Sequence, residues 1–548
     1  MTIAKTLRGA RSALVLVGLA TGVSSAALAQ ELGTIEFPTS GAQNAQPAFL
    51  EGVKALHSFQ FDEAAIAFRE ARRIDPDFAL AYWGEAMSHN HPLWAQQDLA
   101  RARAVLEQLA PTLAGRLAKA DLEKERALLE AAERLFYGPE DKLLRDVAYS
   151  QFMATLHERW PDDHEIATFY ALSLLGTVRP GDTGFRRQAL AASIAMKVFD
   201  ENPHHPGAAH FIIHSFDDPD HAPLGLPAAR AYAGIAPAAA HALHMPSHIF
   251  VQLGLWDDVV KSNIAAYDAA IAVNKRLNLP EGREDFHTLS WLTYANLMLG
   301  KLDEARANVE LARAAVERNP GNAAIRDGYL GMQARYLLET ERWEPAAATP
   351  TTQDTHAAHA AMPGMTMPQS GSTWLFLTGI SAAKRGDAAA ADAVAMELSA
   401  MHEKLIAGGD AYRAKTIQIL TNEVAAAASL ARGRMEQAVS HAQTAADVEL
   451  TMSPPSGPPD PIKPALELYG ETLLAANRPE DAMRVFERSL QRTPNRTPSL
   501  LGLARAAAKS GATAIARRAY TELAEMPGAA PAAPAVREAR SWLASARE

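Results

Sequence analysis

Cysteine is absent from all 548 residues. Disulfides, thiolate metal ligands and a cysteine nucleophile are thereby excluded, so any soft-metal chemistry must use histidine, methionine or carboxylate. No block of five or six like charges suggests an acidic or basic tail. A formal charge of −10 without a basic stripe argues against a nucleic-acid binder. Beyond the N-terminus no apolar run approaches the length of a membrane span. The strand-type alternation of polar and apolar residues is almost missing. The usual catalytic motifs are missing too. Neither HxxxH pair has a glutamate after its first histidine, where Phe211 and Met245 stand instead, and there is no GxSxG, Walker A or dinucleotide fingerprint in the right context.

The first thirty residues read as an export signal. Lys5, Arg8 and Arg11 form a basic region, Ala13 to Val23 an apolar one, and Ala27-Leu28-Ala29 offers small residues for cleavage before Gln30. The expectation is a signal peptide over 1–29 and a periplasmic or secreted protein with no membrane span after cleavage. Loss of three cations takes the charge from −10 to −13.

The rest of the chain carries an internal grammar. In "GVKALHSFQFDEAAIAFREARRIDPDFALAYWGEAM" (52–87), Gly52, Ala64, Phe68, Ala71 and Pro76 stand at intervals of 12, 4, 3 and 5. These intervals match the tetratricopeptide repeat, whose paired antiparallel helices approach closely through small residues and end at a proline. Pro203, Pro237 and Pro320 repeat the terminator, Gly300 marks an inter-helix turn, and Ala305 supplies the small contact. "YGETLLAANRPEDAMRVFERSLQRTPNRTPSLLGLARAAAKSG" adds nearly two more repeats. The expected fold is all-α, a tetratricopeptide-type helical-hairpin solenoid coiled as a right-handed superhelix of roughly eight to ten hairpins. Its parts are an N-terminal extension (30–45), a first array (46–343) and a Pro/His/Met loop (344–371). Middle hairpins (372–452), a proline-rich linker (453–464) and C-terminal hairpins (465–548) complete it.

Histidine is concentrated in a few places. Residues 204–222, "HHPGAAHFIIHSFDDPDHA", hold five, and "HALHMPSHIF" (241–250) holds three more. His210 with His214, and His244 with His248, are four residues apart, which on one helix face brings two imidazoles within reach of one ion. Pro246 between the second pair suits a first helical position, which leaves the direction of His244 open. The repeat resemblance implies that positions 2, 5, 9, 12 and 13 of each first helix face a concave groove. Counted from Pro203, Pro237 and Gly300, six of the nine slots at positions 2, 5 and 9 are histidine, against 18 in 548 for the whole chain. They are His210, His214, His241, His244, His248 and His287. His91 falls at position 13 of an earlier repeat, Asp217 and Asp218 at positions 12 and 13, and Glu467 and Glu471 at positions 5 and 9 of a late one. A weaker second set, His356, His359, Met362, Met365 and Met367, lies in "HAAHAAMPGMTM" and suits copper, or is an incidental feature of a linker.

The phrases "ALAYWGEAMSHNHPLW", "HPGAAHFIIH", "HALHMPSHIFVQLGLWDD" and "ELYGETLL" together resemble a family of exported bacterial tetratricopeptide proteins of unsettled activity. That resemblance covers most of the chain and implies a superhelix that binds a protein, a peptide or a small ligand; it implies no reaction. Three readings follow. The histidines hold a copper, zinc or iron ion in a binding protein, they form the centre of a metal-dependent hydrolase or oxidoreductase, or they line a metal-free scaffold.

Overall fold

A computed structural model describes residues 31–179, 181–182, 184–343 and 370–546. Helices follow one another from Gln46–His57 to Pro534–Ser545, and among the described residues the only sheet is a two-residue antiparallel pair, Asn90–His91 with Gln96–Gln97. The fold is a tetratricopeptide-type helical-hairpin repeat.

The hairpins close where the sequence supplies small residues. Phe68, on helix Phe61–Ile74, lies between Gly52 of helix Gln46–His57 and Gly84 of helix Ala79–Met87. A Cβ at Gly52 would meet the Phe68 ring at 2.8 Å, and one at Gly84 would also collide with it. The same clamp recurs near the other end, where Phe486 fills the space left by Gly470 and Gly502, a Cβ at Gly470 reaching the ring at 2.7 Å. Both clamps share one spacing, glycine to phenylalanine to glycine at sixteen-residue steps. Burying a whole aromatic between two helix backbones is what each hairpin contributes to the continuous core.

Second helices stop where prolines follow. Phe61–Ile74, Arg186–Glu201, Ala222–Ile235 and Leu302–Arg318 end just before Pro76, Pro203, Pro237 and Pro320. Tight inter-helix turns need a left-handed residue, supplied by Gly254 (φ 64), Gly300 (φ 66) and Asn477 (φ 58).

Two segments tie the array together. Residues 31–45 run across the first hairpins with Leu32 and Phe37 in the core, Thr34 N donating to His204 O at 3.0 Å and Ser40 N to Glu125 Oε1 at 2.6 Å. At the far end the chain returns to its middle. Trp256 Nε1 donates to Asn495 O (2.8 Å), Thr497 Oγ1 to Met298 O (2.6 Å) and Ala530 N to Leu299 O (2.8 Å). Arg496, fully buried, joins Glu467 and Glu339 there.

Candidate metal centre

Three short helical stretches meet beside the first hairpin. Helix Pro206–Ser215 carries His210 and His214 one turn apart. Pro246 splits the next stretch into Ala240–His244 and Pro246–Gln252, yet His244 and His248 still face each other across the join. Helix Glu284–Met298 brings Glu284 in its first turn and His287 one turn later. Six imidazoles converge.

Among the described residues they fall into two groups whose ligand atoms all lie within 4.8 Å of one another, His210, His214 and His241 in one, His244, His248 and His287 in the other. Nε2 of His214 sits 3.0 Å from Nε2 of His210, Nε2 of His248 3.2 Å from Nε2 of His244, and Nε2 of His287 2.9 Å from the same His244 atom. His210 and His244 are fully buried, whereas His214, His248 and His287 keep partial exposure on the open side.

The groups behind these rings decide their tautomers. His210 Nδ1 lies 2.6 Å from the carbonyl oxygen of His57, which can only accept. His244 Nδ1 lies 2.7 Å from Asn263 Oδ1, and Asn263 Nδ2 is spent on Val259 O, so this Nδ1 also donates. His248 Nδ1 donates to Asp217 Oδ2 (2.7 Å) and His241 Nδ1 to Glu284 Oε1 (3.3 Å). A neutral imidazole has one N–H. Four rings therefore carry it on the outside and aim Nε2 lone pairs inward. His244 and His248 point lone pairs at each other, and the Nε2 of His241 is buried with no hydrogen-bond partner. Such an arrangement costs energy unless a cation or a proton sits among the nitrogens.

Four of the rings are held neutral. Burial, reinforced by neighbouring imidazoles, keeps His210, His214 and His244 well below the ordinary histidine range. Burial takes His287 down to about 4 despite Glu284. Burial alone would raise Glu284, but its pairing with His241 outweighs that and holds the carboxyl at about 2. The site thus offers imidazole nitrogens backed by carboxylates, the pattern that orients histidines on a metal.

Aromatic walls close two sides. Trp291 packs on His244, His248 and His287, with ring centres 4.9, 4.4 and 5.7 Å away. On the other group, the Phe59 ring lies 4.4 Å from His210, 5.8 Å from His214 and 5.5 Å from His241. Phe59 holds φ 53, at the turn position where the C-terminal hairpin has Asn477. A bulky side chain in left-handed backbone is strained, and here the strain sets an apolar ring against the histidines.

A third group, His57, Glu165 and His205, is completely buried and equally close-set. Its chemistry differs. His205 Nδ1 accepts from Ala208 N (3.2 Å), which leaves its Nε2–H to donate to Glu165 Oε1 at 3.1 Å. His57 Nε2 sits 2.8 Å from Glu165 Oε2. Burial would raise Glu165, but the two histidines hold it at about 2. This carboxylate is saturated by N–H donors and works as a clamp joining three hairpins.

Other sequence-derived candidates are placed elsewhere. His91 is outside the groups, stacked on Phe61 at 3.9 Å in the small strand pair, because the helix from which its position was counted ends at Met87, four residues short of it. Asp217 stands behind His248 and also accepts from Gln252, while Asp218 binds His221. Glu467 and Glu471 do not reach the histidines: Glu467 pairs with Arg496 and Lys463, and Glu471 with Lys463. His356, His359, Met362, Met365 and Met367 lie outside the described residues. Sequence reasoning missed Glu284, Asn263, Phe59 and Trp291. Glu284 alone left a signal, standing three residues before His287, one helical turn away.

The sequence matches no protein-family model and no curated protein. Among solved structures it is similar to yeast Tom70, at 11% identity over 92% of this chain and 96% of that one, with a TM-score of 0.28. The human IFIT1 dimer with m7Gppp-AAAA is 14% identical over 89% of this chain and 90% of that one, TM-score 0.29. The TPR domain of P58(IPK) is 13% identical over 81% and 99%, TM-score 0.19. With scores this low, the fold assignment stands on the chain's own helices and their glycine–phenylalanine clamps.

Proposed function

We propose that this chain is an exported helical-hairpin repeat protein that binds transition-metal ions through His210, His214, His241, His244, His248 and His287. One observation carries the reading: the outer nitrogens of four rings are committed to His57 O, Asn263, Asp217 and Glu284, which leaves the inward lone pairs of His244 and His248 facing each other and that of His241 with no hydrogen-bond partner. An all-imidazole set without thiolate suits copper, zinc or iron. Hairpins from three parts of the array hold the ligands, and the partly exposed side of the site lets an ion and solvent reach them.

The test is elemental analysis of tag-free protein from its producing cells, then titration of the apo chain with Zn(II) and Cu(II). Bound metal that is lost in His244→Ala is the expected result. An apo chain that binds neither ion would leave the metal-free scaffold as the reading. N-terminal sequencing of that protein tests export, with Gln30 as the expected first residue.

A second reading makes the same centre an enzyme. Three protein ligands would leave a position for water, which a bound ion would acidify toward neutral pH. The partial exposure of His214, His248 and His287 favours it.

A further inference from the structure

We infer that the two histidine groups are one dinuclear centre, which holds two divalent ions and takes a small oxyanion between them. The inference rests on the metal-binding reading above and adds stoichiometry, coupling and a ligand class to it.

The groups are adjacent. Within them His210 lies 4.7 and 5.1 Å by centroid from His214 and His241, and His244 5.1 and 4.5 Å from His248 and His287; between them His214 faces His248 at 5.9 Å and His241 faces His244 at 6.2 Å. The spacing across the boundary exceeds the spacing inside by only about an ångström.

The supports are crossed. Helix Ala240–His244 gives His241 to one group and His244 to the other. Asp217 follows the helix that carries His210 and His214, yet it orients His248 of the second group. Glu284 shares a helix with His287, yet it orients His241 of the first. Each carboxylate thus comes from the element that supplies ligands to the opposite group. An ion that fixes one set of ligands also fixes the support of the other set, so the second ion meets a site already ordered.

Charge then specifies the third component. Two divalent ions bring +4 onto six neutral imidazoles. Asp217 and Glu284 return −2, which leaves +2 in a largely desolvated hollow. Three protein ligands per ion leave open positions, and the excess charge selects an anion to fill them. The 5.9–6.2 Å ring spacing across the boundary suits a small one, with oxygen donors that either ion accepts.

The experiment loads the full-length apo chain. With Cu(II), two ions per chain are expected, and their paramagnetic resonance should integrate to well under two spins because the ions couple. With Zn(II), inorganic phosphate should bind one per two ions by calorimetry. His214→Ala should keep one ion with a full isolated spin and weaken phosphate at least tenfold. His287→Ala does the same from the other group, and circular dichroism checks that both variants fold. One ion per chain, two ions with the signal of isolated copper, or phosphate that fails to bind or binds one per ion would overturn the inference while leaving metal binding intact. An apo chain that takes up no metal overturns both readings.

Discussion

Asp217→Asn isolates the orienting role of one carboxylate without touching a proposed ligand. Asp217 Oδ2 accepts from His248 Nδ1 at 2.7 Å and its Oδ1 accepts from Gln252 Nε2 at 3.1 Å. Both partners donate. An asparagine offers one accepting oxygen and one donating amide, so one of the two bonds must fail and an N–H must face an N–H. The His248 ring then loses either its fixed tautomer or its fixed direction. Removing such a support costs ten- to a hundredfold in metal affinity, about 1.4–2.7 kcal/mol. Asp218→Asn removes the same charge one residue away, from a carboxylate that binds His221 instead. Calorimetric Zn(II) titration of the two variants beside the parent separates orientation from bulk charge. The tenfold or greater loss belongs to Asp217→Asn, and Asp218→Asn should stay within about twofold, the scale of a distant screened charge. Equal losses in the two, or none in Asp217→Asn, would refute the argument that tautomer control prepares the site.

Because His210, His214, His244 and His287 are already neutral well below their usual range, metal uptake at pH 6 should release almost no protons from them; unshifted imidazoles would each release about 0.8. Titrations in buffers of different ionisation enthalpy count those protons. Glu423 is fully buried with neither oxygen hydrogen-bonded, and burial, then the charge of Glu449, raises it well above the ordinary carboxyl range. A raised carboxyl is protonated in the fold, so its stability is whole below the unfolded value of 4.5 and lost as pH climbs through the folded one. Glu423→Gln should match the parent near pH 4.5 and exceed it increasingly toward pH 8 in urea unfolding. Gly84→Ala drives a methyl into the Phe68 ring and should cost about 1–3 kcal/mol, with Phe68→Leu in the same chain recovering part of the loss.

The repeat was legible because its determinants are local. Gly52, Phe68 and Pro76 act within one hairpin, so their spacing alone announces the packing, and the same holds for Gly470 and Phe486. The six histidines were legible for the same reason, four of them as pairs one helical turn apart. Their supports were not. Asn263 and Trp291 are ordinary residues on ordinary helices until three hairpins meet, and Asp217 was visible as a groove position beside Asp218 with nothing to pair it with His248. His91 shows the converse: a register counted from a distant proline fails once a short irregular turn intervenes. Glu467 and Glu471 occupied groove positions by count, but the fully buried cation of Arg496 claims Glu467 and Lys463 holds both.

The bonds from Asn495, Thr497 and Ala530 back to residues 256, 298 and 299 change how the array comes apart. An open-ended stack loses its terminal units first, one neighbour at a time. Here the last units cannot peel away without uncovering Trp256 and Met298, and Met298 ends the helix that begins with Glu284 and His287. Truncating the chain before residue 495 would therefore loosen ligands some two hundred positions upstream in sequence.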